Sequence, residues 1–383
     1  MTPPGSSASP GGNPASFYYY YDGPTISGLP TFQAFEQVFE WFDSIGGVEG
    51  GDDYLVFASV PGVNTQIRES LISPSLDEYT VGGGFQIGVN GFFRADYIHR
   101  DWNDFFVTVA NRDIGTVDSP IGIYQLKLIE NTNDLERTYD AFQFQLAYRL
   151  FQRLNVGANY TWSELVGNQT GQTGGSGPVA DETSAVFAYP ELKQYPQFSP
   201  TGPLPQDQTH KARAWVSWDQ PTPFGLFNFS VLQRFDSGTP YSALGTIDVR
   251  PYVSQDILDA YRQEPSGVNY YFSDRGEFRT DDIFATDFAV NYSLPIQRVA
   301  LFAQAELINA FNDDAVVGVN TTVLTNSQDE SLEPFNPFTE TPVEGVHYVL
   351  GSSFGQATTP TTPLSQGHYL LPRTFRISVG LRF

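Results

Sequence analysis

Residues 140–150 read Asp-Ala-Phe-Gln-Phe-Gln-Leu-Ala-Tyr-Arg-Leu, and this stretch decides the fold class. From residue 142 onward, large apolar and aromatic side chains occupy every second position, with Gln, Ala and Arg between them. Successive side chains of a strand point to opposite faces, so a period of two predicts a β-strand with one aromatic face and one polar face. Residues 154–163 repeat the pattern after a break at 151–153, which predicts a hairpin.

The same alternation recurs along most of the chain. Together with the hairpin it predicts nine strands, several of them longer than the usual five or six residues and close to the roughly 9 to 11 that cross a bilayer at a tilt. The other seven strands are predicted at residues 79–88, 92–110, 209–219, 225–243, 281–294, 299–312 and 373–383.

The connections between these strands alternate in length. They are short at 89–91, 151–153, 220–224 and 295–298, and long at 111–136, 165–208, 244–280 and 313–372. Outer-membrane barrels have short periplasmic turns and long extracellular loops, whereas a soluble β-sandwich has no reason to sort its loops in this way. The sequence therefore predicts an all-β chain that forms part of an antiparallel transmembrane β-barrel, with about nine or ten strands. The alternative is a soluble β-sandwich whose aromatic face packs between two sheets.

Composition agrees with strands and turns and excludes several function classes. Charged residues make up 16% of the chain and aromatic residues 15%. The lack of Cys excludes disulfides, thiolate metal sites and a cysteine nucleophile, and the formal charge of −23 argues against a nucleic-acid partner. No run approaches the roughly 18 apolar residues of a transmembrane helix, and residues 1–16 lack the basic and apolar regions of a signal peptide.

The strand at the end of the sequence carries a strong signal of its own. Arg376, Ser378, Gly380 and Arg382 alternate with an apolar set. We expect the apolar set to face lipid and to act as an assembly signal, because an unpaired strand edge in lipid leaves backbone groups without partners. The alternative is a buried edge strand of a soluble protein. The apolar set comprises Phe375, Ile377, Val379, Leu381 and Phe383.

Several segments resemble TonB-dependent outer-membrane receptors. The ending Pro-Arg-Thr-Phe-Arg-Ile-Ser-Val-Gly-Leu-Arg-Phe at 372–383 and Leu-Ile-Asn-Ala-Phe-Asn at 307–312 are similar to the final two strands of that family. Residues 128–137, 139–142 and 155–163 look like its Oar-like branch. The resemblance covers about residues 79–383. It implies the C-terminal part of a ligand-importing barrel, in which the terminal aromatic belongs to the assembly signal.

Other parts of that family's architecture have no counterpart in the sequence. The family carries an N-terminal plug, a TonB box and a signal peptide, often with a small carboxypeptidase-regulatory-like domain ahead of them. We therefore expect residues 79–383 to be C-terminal barrel strands, and residues 1–78, rich in Gly, Pro and aromatics, to be an extracellular loop with a possible strand. Bacterial barrels close with an even number of strands, so nine strands predict an odd number upstream unless part of residues 1–78 supplies one.

The last long connection, residues 313–372, is acidic. It contains seven carboxylates and neither Lys nor Arg. Clustered charge of one sign focuses an electric field, so these residues predict a cation-attracting vestibule, with a solvated loop as the simpler interpretation. The seven are Asp313, Asp314, Asp329, Glu330, Glu333, Glu340 and Glu344.

The sequence predicts neither an enzyme nor a cofactor or metal site. The four histidines are scattered without metal-ligand spacing, and strand alternation places only Asp101, of the nearby acids Asp96 and Asp101, on the face of His99. Gly82–Gly84 lie inside a strand rather than before a helix, so they indicate bending or close approach and not a phosphate loop. Aromatic residues in the loops, such as Tyr270, are expected to anchor packing rather than to stack on sugar rings.

The expected function is import of a ligand across the outer membrane, with the chain located in the cell outer membrane. The expected partners are outer-membrane lipid, the barrel assembly machinery and, only through a plug, the TonB complex. The alternatives are a plugless porin, an adhesion or secretion component, or a soluble glycan-binding β-sandwich.

Overall fold

A computed structural model describes residues 16–60, 62–119, 122–169, 189–262, 264, 267–296, 299–357 and 368–382. Phe383, which was predicted to belong to the assembly signal, lies outside the described residues. In chain order the strands are β1 (Ser16–Tyr19), β2 (Leu55–Ser59), β3 (Thr65–Ile67), β4 (Ser75–Ile87), β5 (Gly91–Asn103), β6 (Phe105–Val109), β7 (Thr116–Ser119), β8 (Gly122–Gln125), β9 (Lys127–Thr132), β10 (Arg137–Leu150), β11 (Leu154–Gly167), β12 (Gly202–Pro203), β13 (His210–Thr222), β14 (Gly225–Asp236), β15 (Pro240–Tyr241), β16 (Leu244–Asp248), β17 (Gly267–Tyr271), β18 (Phe278–Arg279), β19 (Ile283–Ile296), β20 (Val299–Ile308), β21 (Val323–Thr325), β22 (Tyr348–Leu350) and β23 (Thr374–Arg382). Within the described residues the α-helices are α1 (Thr31–Ser44), α2 (Gly47–Gly50) and α3 (Gln255–Leu258).

Nine long strands form one antiparallel sheet in the order β23-β20-β19-β14-β13-β11-β10-β5-β4, and the short β12 pairs with β11. Each long strand therefore lies beside its neighbours in the chain, because each is joined to the next by a hairpin turn or a loop. The predicted all-β class and the nine strands are confirmed. Within the described residues β4 and β23 are the two edges of the sheet and do not pair with each other, as in a partial barrel.

Two predicted strands end early in the structure at left-handed residues. The strand predicted at 92–110 leaves the sheet at Asp104, whose φ of 59° turns the chain and whose N–H donates to Asn133 Oδ1 at 3.0 Å. The following residues form β6, which pairs with β9 instead. The strand predicted at 299–312 ends at Ile308, because Asn309 has a φ of 49°. Left-handed residues of this kind interrupt the extended backbone of a ladder.

A third predicted strand, at 225–243, ends at Asp236. The chain then passes Gly238, where a Cβ atom would lie 1.9 Å from the carbonyl oxygen of Thr280, so the backbones approach more closely than a side chain permits. The edge strand β4 begins at Ser75, four residues before the predicted start at residue 79.

The leader, residues 16–78, contains the antiparallel pair β1 and β2. It also contains α1, a helix that the sequence analysis did not predict. This helix begins after Pro30 and is free of Gly and Pro, and it packs Trp41 against Tyr54 with ring centroids 5.5 Å apart. Phe42 packs edge-on against Tyr19 at 5.0 Å. Among the described helices, none has the length and apolar character needed to cross a membrane.

Candidate functional site

One face of the nine-stranded sheet carries an apolar band that runs from edge to edge. Toward the long loops the same face also carries acidic side chains and a histidine, namely Asp77, His99, Asp101, Asp140 and Glu164. The register places Phe144 beside Tyr160 on one side and beside Ala95 on the other, and the same face continues to both edge strands. Side chains on this face remain exposed: Val81 on β4 is 73% exposed and Val379 on β23 is 74% exposed. The sequence alternation predicted this face, and the register aligns it across all nine strands.

The predicted assembly residues that the structure describes lie on this apolar face. Phe375, Ile377, Val379 and Leu381 pair in register with Leu307, Ala305, Ala303 and Leu301 of β20, and all four are more than half exposed. Their role in assembly remains a prediction.

The opposite face of the same sheet is polar. Alternation puts every Lys and Arg side chain that the structure describes on the nine long strands on this face. Many of them meet a carboxylate there: Arg94 Nε donates to Asp96 Oδ2 at 2.7 Å, and Arg100 Nε donates to Glu78 Oε2 at 2.6 Å. The eight residues are Arg94, Arg100, Arg137, Arg149, Lys211, Arg213, Arg234 and Arg376.

The four long connections of the sheet, residues 104–136, 168–209, 237–282 and 309–373, all leave from the same end of the sheet, and we call them together the loop cap. They carry a hydrophobic core of their own, because β6, β16, β17 and the loop segments around them bring apolar side chains together. This core comprises Phe105, Val107, Val109, Leu135, Leu192, Phe198, Ile247, Val249, Val268, Tyr270 and Phe335. Phe198 meets Tyr270 edge-on at 5.5 Å. The expectation that Tyr270 anchors loop packing is confirmed.

Buried polar groups join the loops of the cap to one another. Asp207 is 3% exposed. Its carboxylate accepts hydrogen bonds from the backbone N–H of Leu165 at 2.9 Å and from Arg279 Nη2 at 2.7 Å. Arg275 is 5% exposed and donates to the carbonyl oxygens of Pro200 at 2.7 Å and Asn168 at 3.2 Å. A buried polar group is costly unless it is hydrogen-bonded, so these contacts fix the relative positions of two loops, 168–209 and 237–282.

The electrostatics of the cap follow from burial and pairing. A side-chain hydrogen bond from Lys193 lowers the pKa of Asp134, and one from Arg250 lowers the pKa of Asp248. Burial lowers the pKa of Lys127 to about 8 and raises the pKa of Tyr270 to about 12. Each shift reports either a close ionic partner or removal from water.

The seven acidic residues predicted as a vestibule do not converge on one point. Five of them, Asp314, Glu330, Glu333, Glu340 and Glu344, are exposed, and the other two are partly buried. Several accept hydrogen bonds from backbone N–H groups: Asp313 Oδ2 from Phe284 at 2.7 Å, Asp329 Oδ1 from Ser331 at 3.0 Å and Glu340 Oε2 from Asn336 at 2.6 Å. The described residues contain no group of three or more His, Asp or Glu side chains placed to hold a metal ion.

His99 has a partner that sequence analysis missed. Asp101 shares its face, as predicted, but the ring Nδ1 lies 2.9 Å from Asp140 Oδ1 on the neighbouring strand β10. Tyr97 OH donates to the same carboxylate oxygen at 2.6 Å. The contact depends on the register between β5 and β10, which no local pattern reveals.

Gly82 allows a neighbouring side chain to approach the backbone closely, as expected for the glycines Gly82–Gly84. A Cβ atom at Gly82 would lie 1.9 Å from Asp96 Oδ1, so the glycine leaves room for the carboxylate that pairs with Arg94.

No protein-family model and no curated protein matches the chain. Among solved structures it is similar to the outer membrane transporter YddB from Escherichia coli, with a TM-score of 0.44 and 16% identity over 72% of this chain and 34% of that chain. The FrpB iron transporter from Neisseria meningitidis matches with a TM-score of 0.41 and 10% identity, over 83% of this chain and 32% of that one. The ferric-catecholate import receptor Fiu from E. coli K12 matches with a TM-score of 0.39 and 14% identity, over 87% and 31%. The chain spans about a third of the length of each of these proteins.

Proposed function

We propose that the chain forms part of the barrel wall of a TonB-dependent outer-membrane receptor, which binds a ligand at the cell surface and imports it. The nine strands cross the outer membrane, the short turns face the periplasm and the loop cap faces the outside. The observation that carries this proposal is the continuous, exposed apolar face of the sheet.

The size of that face argues for lipid contact. Nine strands about 4.8 Å apart and an apolar band of roughly six residues in height give an area on the order of 800 Å². The largest apolar patch on a typical soluble monomer is roughly 300–600 Å². The face also lacks described Lys and Arg side chains, whereas the opposite face carries eight. A lipid environment on one side and water on the other accounts for this separation.

Aromatic side chains with a polar group lie toward both ends of the apolar band. Tyr148, Trp218 and Tyr292 lie toward the turns, and Tyr79 and Trp162 lie toward the loop cap. Such amphipathic rings are favoured at membrane interfaces, where one end is apolar and the other is wet. Their positions support a transmembrane band between them.

The β-sandwich alternative requires the same aromatic face to be core. In the structure Phe142 on this face is 45% exposed and Phe144 is 37% exposed, while the buried aromatic core lies in the loop cap. A sandwich core would bury these side chains almost completely. Exposure therefore favours the membrane proposal over the sandwich.

The loop cap is the proposed ligand-facing part. Its shared core and the ion pair between Arg279 and the buried Asp207 give the loops a defined shape, which preorganises a surface for binding and lowers the entropy cost of recognition. Its exposed carboxylates, including Glu330, Glu333 and Glu344, would attract cations or cationic groups to the outer mouth. The resemblance of 372–383 and 307–312 to the final strands of the receptor family supports TonB-dependent import rather than an open pore.

Fractionation tests the membrane location. We expect the complete protein to be extracted with the outer membrane and to migrate at different positions in gels before and after heating, as folded barrels do. Assembly should also require the barrel assembly machinery. Recovery of the complete protein as a monodisperse, detergent-free soluble species would overturn the membrane proposal.

A second experiment separates a TonB-dependent receptor from a plugless porin or an adhesion or secretion component. The upstream reading frame should encode a plug and a TonB box. Growth or uptake that depends on the complete protein should then disappear in a strain without TonB. Uptake that persists at the same rate without TonB would indicate a pore.

A further inference from the structure

A groove of about 570 Å³ lies on the apolar face of the sheet, beside the short turn that joins β10 to β11. The register places one apolar side chain from each of four neighbouring strands in a single row along it, namely Leu154, Trp218, Phe229 and Val290. The volume falls within the roughly 300–1,000 Å³ of pockets that hold small molecules. Because its walls are apolar, the groove suits a hydrocarbon chain better than a polar solute.

Arg153 is the one charged residue that lines this groove. Its guanidinium forms no ion pair and no hydrogen bond with the residues that the structure describes. The backbone N–H of Asp219 donates to the carbonyl oxygen of Arg153 at 2.9 Å, but alternation places the Asp219 carboxylate on the polar face. There its Oδ1 accepts a hydrogen bond from Asn228 Nδ2 at 2.8 Å. The charge of Arg153 therefore stands at the end of an apolar groove without a carboxylate bound to it.

Carboxylates on the apolar side of the sheet lie at its other end. Asp77, Asp101, Asp140 and Glu164 are all on this side, near the loop cap. Toward the turns, the described part of the nine strands has no carboxylate on this side. A negative group that meets Arg153 in front of the groove must therefore come from outside the described strands.

The turn itself has an unusual conformation. Phe151 and Gln152 have φ values of 50° and 61°, and the Phe151 side chain is 86% exposed. Hairpin turns that need left-handed residues usually take Asn, Asp or Gly, because a bulky side chain is strained there. An exposed aromatic ring is unfavourable in water and is favoured at a membrane interface. The ring at this position indicates that the turn enters the headgroup region of the bilayer.

We propose that the groove, Arg153 and the indole of Trp218 bind one anionic phospholipid of the periplasmic leaflet. An acyl chain would lie along the apolar row, and the phosphate would meet the guanidinium, which presents a planar pair of N–H donors. The indole N–H has no hydrogen-bond partner among the described residues and supplies a further donor. The inference rests on the proposed function, which places the short turns at the periplasm. It assigns a particular class of lipid to one part of the wall.

Binding of phosphatidylglycerol to the complete protein in neutral detergent tests the site. Native mass spectrometry measures how many lipids each protein retains, with phosphatidylcholine as the lipid without net charge. We expect one phosphatidylglycerol per protein, bound about tenfold more tightly than phosphatidylcholine, since a charge-assisted contact is worth roughly 1.4 kcal/mol or more. Inorganic phosphate in large excess should not displace the lipid, because the groove holds its acyl chain.

Three variants separate the parts of the site. Arg153→Gln should lower the affinity for phosphatidylglycerol about tenfold, by loss of the same charge-assisted contact. Val231→Trp should lower the affinity for both lipids, because the larger side chain fills the groove. Arg149→Gln is the matched control: it removes an arginine four residues earlier, where Nε donates to Asn155 Oδ1 at 3.1 Å on the polar face, and should leave binding unchanged.

Urea unfolding in the same detergent checks that the variants fold. Without phosphatidylglycerol the parent and Arg153→Gln should have the same midpoint. The lipid should raise the midpoint of the parent and of Arg149→Gln, but much less that of Arg153→Gln. Equal retention of the two lipids by the parent, undiminished binding by Arg153→Gln, or displacement by inorganic phosphate would each overturn the site.

Failure of the site and failure of the proposed function give different results. A protein that fractionates with the outer membrane and shows no preference for phosphatidylglycerol would overturn the lipid site alone. Recovery of the complete protein as a detergent-free soluble species would overturn the proposed function, and the lipid site with it.

Discussion

Replacing Phe144 by Arg tests the assignment of the two faces most directly. Phe144 lies at the middle of β10 on the apolar face, with ring centroids 6.2 Å from Tyr160 and 6.4 Å from Phe93. An arginine at the bilayer midplane of a barrel costs about 2–4 kcal/mol. Loss of two aromatic contacts, each worth about 0.5–1.5 kcal/mol, adds to this. We expect the free energy of unfolding to fall by about 3–7 kcal/mol, which corresponds to roughly a hundredfold to a hundred-thousandfold in the folding equilibrium.

Gln143→Arg is the matched control, one residue away on the opposite face. The register places Gln143 between Asp96 and Thr161, so a new guanidinium would face water and a carboxylate. We expect a change within about 0.5 kcal/mol, typical of solvated positions. Urea unfolding of each variant in lipid vesicles, followed by Trp fluorescence and by the heat-dependent shift in gel mobility, measures both values.

The test is the difference between the two variants in the free energy of unfolding. Equal destabilisation by Phe144→Arg and Gln143→Arg would refute the face assignment, because the two variants place the same charged side chain on opposite sides of β10. A larger loss in Gln143→Arg would mean that the polar face is the one in contact with lipid.

Three further predictions concern packing, pairing and pH. Gly157→Leu should destabilise the sheet by about 1–3 kcal/mol in urea unfolding, because a Cβ atom there would lie 2.2 Å from the Trp215 ring, and Trp215→Ala in the same chain should restore part of the loss. Arg279→Met should cost about 1–3 kcal/mol by leaving buried Asp207 without its cation, and protease cleavage within the loop cap should increase; unchanged cleavage would contradict this role. Lys127 has a pKa of about 8 in the folded chain against 10.5 for the free side chain, so the unfolded chain binds more protons between these values and stability should rise as the pH goes from 8 toward 10. That increase should be absent in Lys127→Met, and an identical pH profile in the two proteins would count against burial of this ammonium group.

The strands and their faces could be predicted from the sequence because their signal is local. A period of two over residues 140–150 and 154–163 already separates apolar from polar positions, and the structure keeps that separation across all nine strands. The alternation of short and long connections likewise placed the four long loops at one end. Strand ends were less accurate, because single left-handed residues such as Asp104 and Asn309 end a ladder without disturbing the alternation around them.

The sequence by itself therefore determined the class of fold, the number of strands and which side of each strand is apolar. Only the tertiary structure decided which residues face each other: Arg213 and Arg234 across β13 and β14, His99 and Asp140 across β5 and β10, and the aromatic core that joins the loops of the cap. Periodicity is a property of a few consecutive residues. Register and loop packing depend on contacts between segments far apart in the chain, and the free energy of those contacts has no local signature.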